Sequence, residues 1–313
     1  HTYCVHGLRL ILDPDDGYTV ANTCLRKDLF YNYFRPWLGD GLFPTMDIWR
    51  VHRKLILPTF HQHILDGYLS ESNRQSRKLV KTIEKEANKG LFDHRSYMEE
   101  MAIEYICATA MGASIDDEDR QMKASYITAS HQFMRGIVQR ALAFWLHSDF
   151  IYGYSSLKRR QDELSSSLHS LMEARLFSTG SDRKQYKAFL DLLLEMAEDG
   201  SLTEKEIREE VDTFIFAGSD TSASVLKYTL MAVGTYPDVQ KKIQEELREV
   251  FQDSDRDVDK EDLPKLKYIE AVIKETMRLY PVAPMIGRYL DREVLAALRG
   301  FTRVTPDPVG ISG

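Results

Sequence analysis

The sequence predicts a mainly α-helical fold with a small β component. Three observations carry this. After Pro44, apolar residues recur at three- and four-residue spacing through Trp49 to Leu57, Ile64 to Lys89, Tyr97 to Met111 and Gln121 to Trp145. A capping box, Thr203 with Glu206, then opens a segment that meets no proline until Pro237. At about 1.5 Å per residue that helix is on the order of 50 Å long and spans a domain. The strand signal comes early, in the apolar run Leu8 to Leu12, followed by Asp13 to Tyr18, which reads as a turn.

The elements follow in order. Breaks between helices are marked by Asn88 to Gly90, the acidic turn Asp116 to Asp119 and the polar stretch Ser178 to Lys184, which read as inter-helix loops. A further helix from about Lys265 ends in Glu275-Thr-Met-Arg-Leu-Tyr-Pro281, with Pro284 beyond it. With 313 residues and 43% hydrophobic composition the chain can bury a substantial core, as one large domain or two small ones.

Composition also excludes some functions. The 41 basic and 48 acidic side chains leave no chain-wide positive field, so nucleic acid is not expected as a partner. Cys4, Cys24 and Cys107 are few, odd in number and widely spaced, which argues against a disulfide framework or a structural zinc site and fits a reducing compartment. The apolar stretch Ala141 to Tyr154 is flanked by Arg140, contains His147 and Asp149, and is shorter than the ~20 apolar residues a spanning helix needs. No initiator methionine or signal peptide opens the chain, so the start, and an anchor with it, is expected to be missing.

Chemistry concentrates at a weak point of the long helix. The apolar stripe Ile207, Val211, Phe214 runs in register to Gly218, Thr221 and Val225. Glycine in a helix interior costs roughly 1 kcal/mol relative to alanine, and Ser219, Asp220, Thr221 and Ser222 are poor helix formers. One reading is that Ala217 and Gly218 let a flat ligand lie against the helix while Asp220 and Thr221 handle protons. The other is a close helix crossing over Gly218, with the hydroxyls bonded back to the preceding turn. Two further pairs have equally plain alternatives. Glu275 and Arg278, three apart, form an ion pair on one helix face. Trp49 and Arg53, four apart, form either a stacked pair or two donors aimed at a carboxylate.

Together these strings resemble the cytochrome P450 family. Phe-Ala-Gly-Ser-Asp-Thr resembles its oxygen-activation motif, Glu-x-x-Arg followed by Leu-Tyr-Pro its signature helix, and Trp-x-x-x-Arg its propionate-binding helix, in the family's order. The resemblance covers roughly Phe30 to Leu290, and Phe34-Arg-Pro-Trp-Leu-Gly-Asp-Gly-Leu is most similar to the family 4 branch. It implies haem b, with Trp49, Arg53 and Arg288 at its propionates, Ala217 and Gly218 against its face, and Asp220 and Thr221 relaying protons during oxygen activation. It implies a cytochrome P450 fold over residues 1–290 and a monooxygenase acting on an apolar small molecule with electrons from NADPH through cytochrome P450 reductase. The endoplasmic reticulum membrane is the implied location, its surface a partner of the complete protein. The basic run Arg50, His52, Arg53 and Lys54 is either a steering patch for the reductase or a solvated helix face.

The sequence also departs from the family. The Phe-x-x-Gly-x-x-x-Cys-x-Gly loop that supplies the iron's thiolate is absent, and no metal ligand is nominated. Residues 291–313 read as a divergent tail, so the fold is expected to be C-terminally incomplete. In the complete fold a further arginine joins Glu275 and Arg278; without it a buried, partly compensated pair and loose packing are expected. Ala217 stands where many family 4 members carry a haem-esterifying glutamate, so covalent haem is not expected. The rival readings are a non-catalytic truncated remnant that binds no haem, and a helical interaction scaffold.

Overall fold

The computed structural model describes residues 2–5, 8–44, 48–112, 120–176, 189–198, 200–252 and 254–289. The acidic turn Asp116 to Asp119, the polar stretch Ser178 to Lys184 and the tail from 291 lie outside the described residues.

Among the described residues the fold is mainly α-helical with one two-stranded sheet. Strands β1 (Thr2–Val5) and β2 (Leu8–Ile11) pair antiparallel, Thr2 opposite Ile11 and Val5 opposite Leu8. The Asp-Pro-Asp-Asp-Gly segment read as a turn is instead the start of helix α1 (Pro14–Thr23). Asp13 accepts from the backbone N–H groups of Asp15 and Asp16, and Pro14 takes the first helical position, where no N–H is needed. A 3₁₀ turn, Leu29–Phe34, leads into the single-turn helix α2 (Arg35–Leu38). Gly39 ends it at φ +60°, and a Cβ there would run into the Glu209 side chain.

Helix α3 (Trp49–Ile56) passes through a 3₁₀ turn, Leu57–Phe60, into α4 (Gln62–Gly67) and α5 (Leu69–Glu84). The expected single helix from Ile64 to Lys89 is therefore broken at Tyr68 and ends earlier. Helices α6 (Arg95–Ala110) and α7 (Arg120–Leu142) follow, and a 3₁₀ turn, Phe144–His147, takes up the end of the stretch expected to be helical to Trp145. Then come α8 (Asp149–Gly153), α9 (Ser156–Leu176), α10 (Phe189–Glu198), α11 (Glu204–Thr235), α12 (Pro237–Phe251) and α13 (Lys267–Leu279).

Helix α11 is the axis of the molecule. Its 32 residues extend about 48 Å, and it opens on the expected box: Thr203 accepts from the Glu206 N–H, and the Glu206 carboxylate accepts from the Thr203 N–H. It packs most extensively on α6 and also touches α2, α10, α12 and α13. The main core gathers Trp37, Leu38, Ile103, Phe133, Ile137, Leu168, Leu193 and Ile215 from six helices. Helix α6 buries Met98, Ala102, Ile103, Cys107, Ala108 and Ala110, and this nearly all-round burial suits the helix on which α11 lies.

Candidate functional site

Each motif found in the sequence has a definite place on this frame. On α3 the Arg53 guanidinium lies 5.7 Å from the centroid of the Trp49 indole, a cation–π pair whose arginine is exposed. The neighbouring basic run needs a correction. Arg50, Arg53 and Lys54 face solvent, but His52 is buried, with Nδ1 2.6 Å from Glu210 Oε1 on α11. His52 therefore belongs to the interior and not to a steering patch.

On α11 the stripe also departs from the expected register. Ile207, Val211 and Ile215 are buried, yet Thr221 is exposed, while Ala223 two residues on is buried with Met98 and Ala102 in a second, smaller core. The Thr221 hydroxyl donates to the Ala217 carbonyl at 2.6 Å and Ser219 donates to that of Ile215 at 2.6 Å, so both hydroxyls bond back one turn. At Gly218 a Cβ would lie 2.6 Å from Ile106 Cδ1. The room this glycine makes is taken by an α6 side chain, which is the close-crossing alternative. Asp220 sits 3.8 Å from His131 Nε2 on α7, and the same nitrogen lies 3.7 Å from Glu99 on α6. Burial pushes the Glu99 carboxyl up, and His131 partly offsets this.

The pair on α13 is present but not buried. Arg278 donates to both oxygens of Glu275 at 2.7 Å, with more than half of each side chain exposed. The arginine hydrogen bond holds the Glu275 carboxyl below its usual range. Because water already solvates both charges, the expected burial penalty and the loose packing inferred from it do not arise from this pair. Helix α13 leans on the second half of α11, where Tyr228 and Tyr280 stack with centroids 5.2 Å apart. Beyond it, Arg288 forms an isolated antiparallel bridge with Lys27 and spends one N–H on the Gly287 carbonyl. Its Nε is buried and has no partner among the described residues.

Sequence reasoning missed the ionisable groups buried on α11. Glu210 is fully buried and its carboxyl is pushed up by desolvation. Asp212 is almost as deeply buried and is pushed up to about 8, mainly by desolvation and against the pull of Arg208. A signal existed for Glu210, which lies three residues after Ile207 and one before Val211, inside the apolar stripe.

The family model for Cytochrome P450 matches residues 20–301, most of the chain and past the boundary expected at 290. The chain belongs to the cytochrome P450 family. Among curated cytochromes P450 it is 37% identical over 287 residues to Cytochrome P450 4V2 of Homo sapiens, covering 85% of this chain and 54% of that one. Cytochrome P450 4c3 of Drosophila melanogaster is 29% identical over 91% of this chain and 58% of its own length. Cytochrome P450 4e5, mitochondrial, of Drosophila mettleri is 31% identical over the same shares. The family 4 resemblance is thus supported, and the chain spans about half the length of the curated relatives it matches.

Cytochromes P450 carry haem, and the residues fit its edge but not its axis. The unspent Arg288 N–H, with the Trp49 and Arg53 donors, is what carboxylate side chains of a macrocycle require. The iron's ligand is another matter. Cys107 is buried among the α6 core residues, Cys24 is buried at the end of α1, and the sequence contains no glycine-rich cysteine loop. No helix among the described residues is long and apolar enough to cross a membrane.

Proposed function

We propose that the gene product containing this chain is a haem-dependent monooxygenase that hydroxylates an apolar organic substrate, using dioxygen and electrons passed from NADPH by a reductase. The observation that carries this reading is the order Trp49-x-x-x-Arg53, Ala217-Gly-x-Asp-Thr221, Glu275-x-x-Arg278 within a chain of this family. Haem, when bound through a thiolate, supplies the oxygen-activating iron. In this chain Trp49, Arg53 and Arg288 would hold its propionates, and Ala217 and Gly218 would border its face once the Ile106 side chain, which fills the space over Gly218, turns aside. Asp220 and Thr221 would hold and pass protons at their carboxylate and hydroxyl oxygens, as general acids must at short range. We place the full-length product at the endoplasmic reticulum membrane surface, where an apolar substrate partitions; one relative's own name reads mitochondrial.

The test is a ferrous carbon monoxide difference spectrum of the full-length product and of the 313-residue chain. The longer product is expected to show the band of a thiolate-ligated haem, and a haem-free longer product sinks the proposal. A second reading, a remnant that binds no haem, is favoured by one observation: no cysteine of the 313 residues stands in a ligand loop. It predicts no Soret band from the 313-residue chain even under haem supply.

A further inference from the structure

The sequence points to two cationic features far apart in the chain, Trp49 with Arg53 on α3 and Arg288 beyond α13. One buried carboxylate connects them. Glu210 Oε1 accepts from the Leu42 N–H at 2.8 Å and lies 2.6 Å from His52 Nδ1. When Glu210 is ionised, Nδ1–H must be the donor, because a carboxylate only accepts. His52 sits between Trp49 and Arg53 on α3, and its Nε2 lies 3.5 Å from Glu206, which closes the capping box of α11.

The connection continues on the other side. The carbonyls of Leu42 and Phe43 accept from the Lys27 ammonium. Lys27 is backbone-bridged to Arg288, and next to that bridge the Tyr289 N–H donates to the Arg26 carbonyl at 2.8 Å. The Arg26 guanidinium stands 4.6 Å from the centroid of the Tyr289 ring, holding the same two segments together. Burial brings the Lys27 ammonium down to about 8, with Arg288 pushing the same way and Glu210 opposing. Among the described residues Glu210 Oε2 has no partner. A buried charged cluster kept only for stability is commonly replaceable by apolar side chains of similar volume without loss. Removing one partner alone leaves the other buried and unpaired, so the donor-retaining variant of His52 is the one that separates stabilising from positioning.

We propose that Glu210 and His52 are positioning residues that fix α3, and with it Trp49 and Arg53, against the extended segment carrying Arg288. The role of those cations rests on the haem reading above, whereas the geometry does not.

The experiment uses the full-length gene product and its variants His52→Asn, His52→Leu, Glu210→Leu and Lys27→Met, read by amide hydrogen exchange and by haem loss to apomyoglobin. Asparagine places an amide N–H close to where histidine carries Nδ1, so it retains the donor to Glu210. His52→Leu and Glu210→Leu are expected to speed exchange across residues 49–56, and haem loss, by at least about tenfold, leaving α12 unchanged. His52→Asn is expected to stay within about threefold of the parent. Unchanged α3 exchange in a folded His52→Leu protein overturns the proposal, as does an Asn variant as impaired as the Leu variant. Should the leucine variants fail to fold, Lys27→Met reports at residues 287–289, where unaltered exchange and haem loss would equally overturn it. If the parent protein retains no haem, the haem reading falls while the exchange data still decide the positioning.

Discussion

Single side chains on α11 contribute to the pH response of this fold. Folding raises Asp212 from the ordinary carboxylate range to about 8 because desolvation disfavours its charged form. Between those limits the folded state holds a proton that the unfolded chain has released, so stability is greatest at the acid end and is withdrawn as pH rises towards 8. Asp212→Asn removes the ionisation while keeping the shape. Urea unfolding from pH 5 to 8 should show a flatter stability profile in the variant, with a gain of about 1–3 kcal/mol at pH 7.5. An unchanged slope would mean that the carboxyl titrates normally. Gly218 makes a different case. A methyl group there meets Ile106 Cδ1 at 2.6 Å and Cγ1 at 3.0 Å, two atoms of a β-branched side chain stiff at χ1, so Gly218→Ala should cost about 1–3 kcal/mol by overpacking despite its better helix propensity. Adding Ile106→Val should recover part of that loss in thermal unfolding; equal losses in the single and double variants would remove Ile106 as the cause. The glycine was legible in the sequence as a helix-weakening residue, but its packing partner, over a hundred positions earlier, was not.

At the scale of elements, the parts that read correctly are those whose signal is local. The α11 cap is a four-residue code, and Thr203→Ala should lower stability by about 1 kcal/mol in chemical denaturation, since it orphans the Glu206 N–H. A loss below a few tenths would show that water caps the helix equally well. Helices α3, α6 and α13 lie within two residues of the stretches their periodicity marked. Asp13 to Tyr18 misled because Asp-Pro serves both a turn and a helix start; only the residues from Tyr18 to Thr23, weakly periodic, decide for α1. His52 misled for a longer-range reason. A histidine among Arg50, Arg53 and Lys54 reads as part of a basic face, and nothing within its own helix reveals a carboxylate 158 residues away at bonding distance. The candidate site was therefore legible as a set of strings, while its buried connections were fixed by tertiary packing.

Among the described residues an exposed apolar region lies just past α7, and its origin lies in how that helix ends. That helix buries Tyr126, Ala129, Phe133, Gly136, Ile137 and Arg140 on one face. Arg140 then ties the following turn in place, donating to the Leu146 carbonyl and to Asp149, with its guanidinium 4.1 Å and 3.6 Å from the ring centroids of Tyr33 and Tyr152. Tyr152 is consequently the buried residue of α8, and Leu142, Phe144, Trp145, Phe150 and Tyr154 are left outside, each more than half exposed. A patch of this kind drives association even in a chain with net charge −7. The paired substitution Phe144→Ser and Phe150→Ser removes two of its four aromatic rings without touching Arg140 or its partners, so the fold should be retained. In sedimentation velocity over a range of concentrations, the parent chain is expected to self-associate, more so at high salt where charge repulsion is screened, and the double variant to remain largely monomeric. Equal association of both would place the sticky surface elsewhere on the molecule.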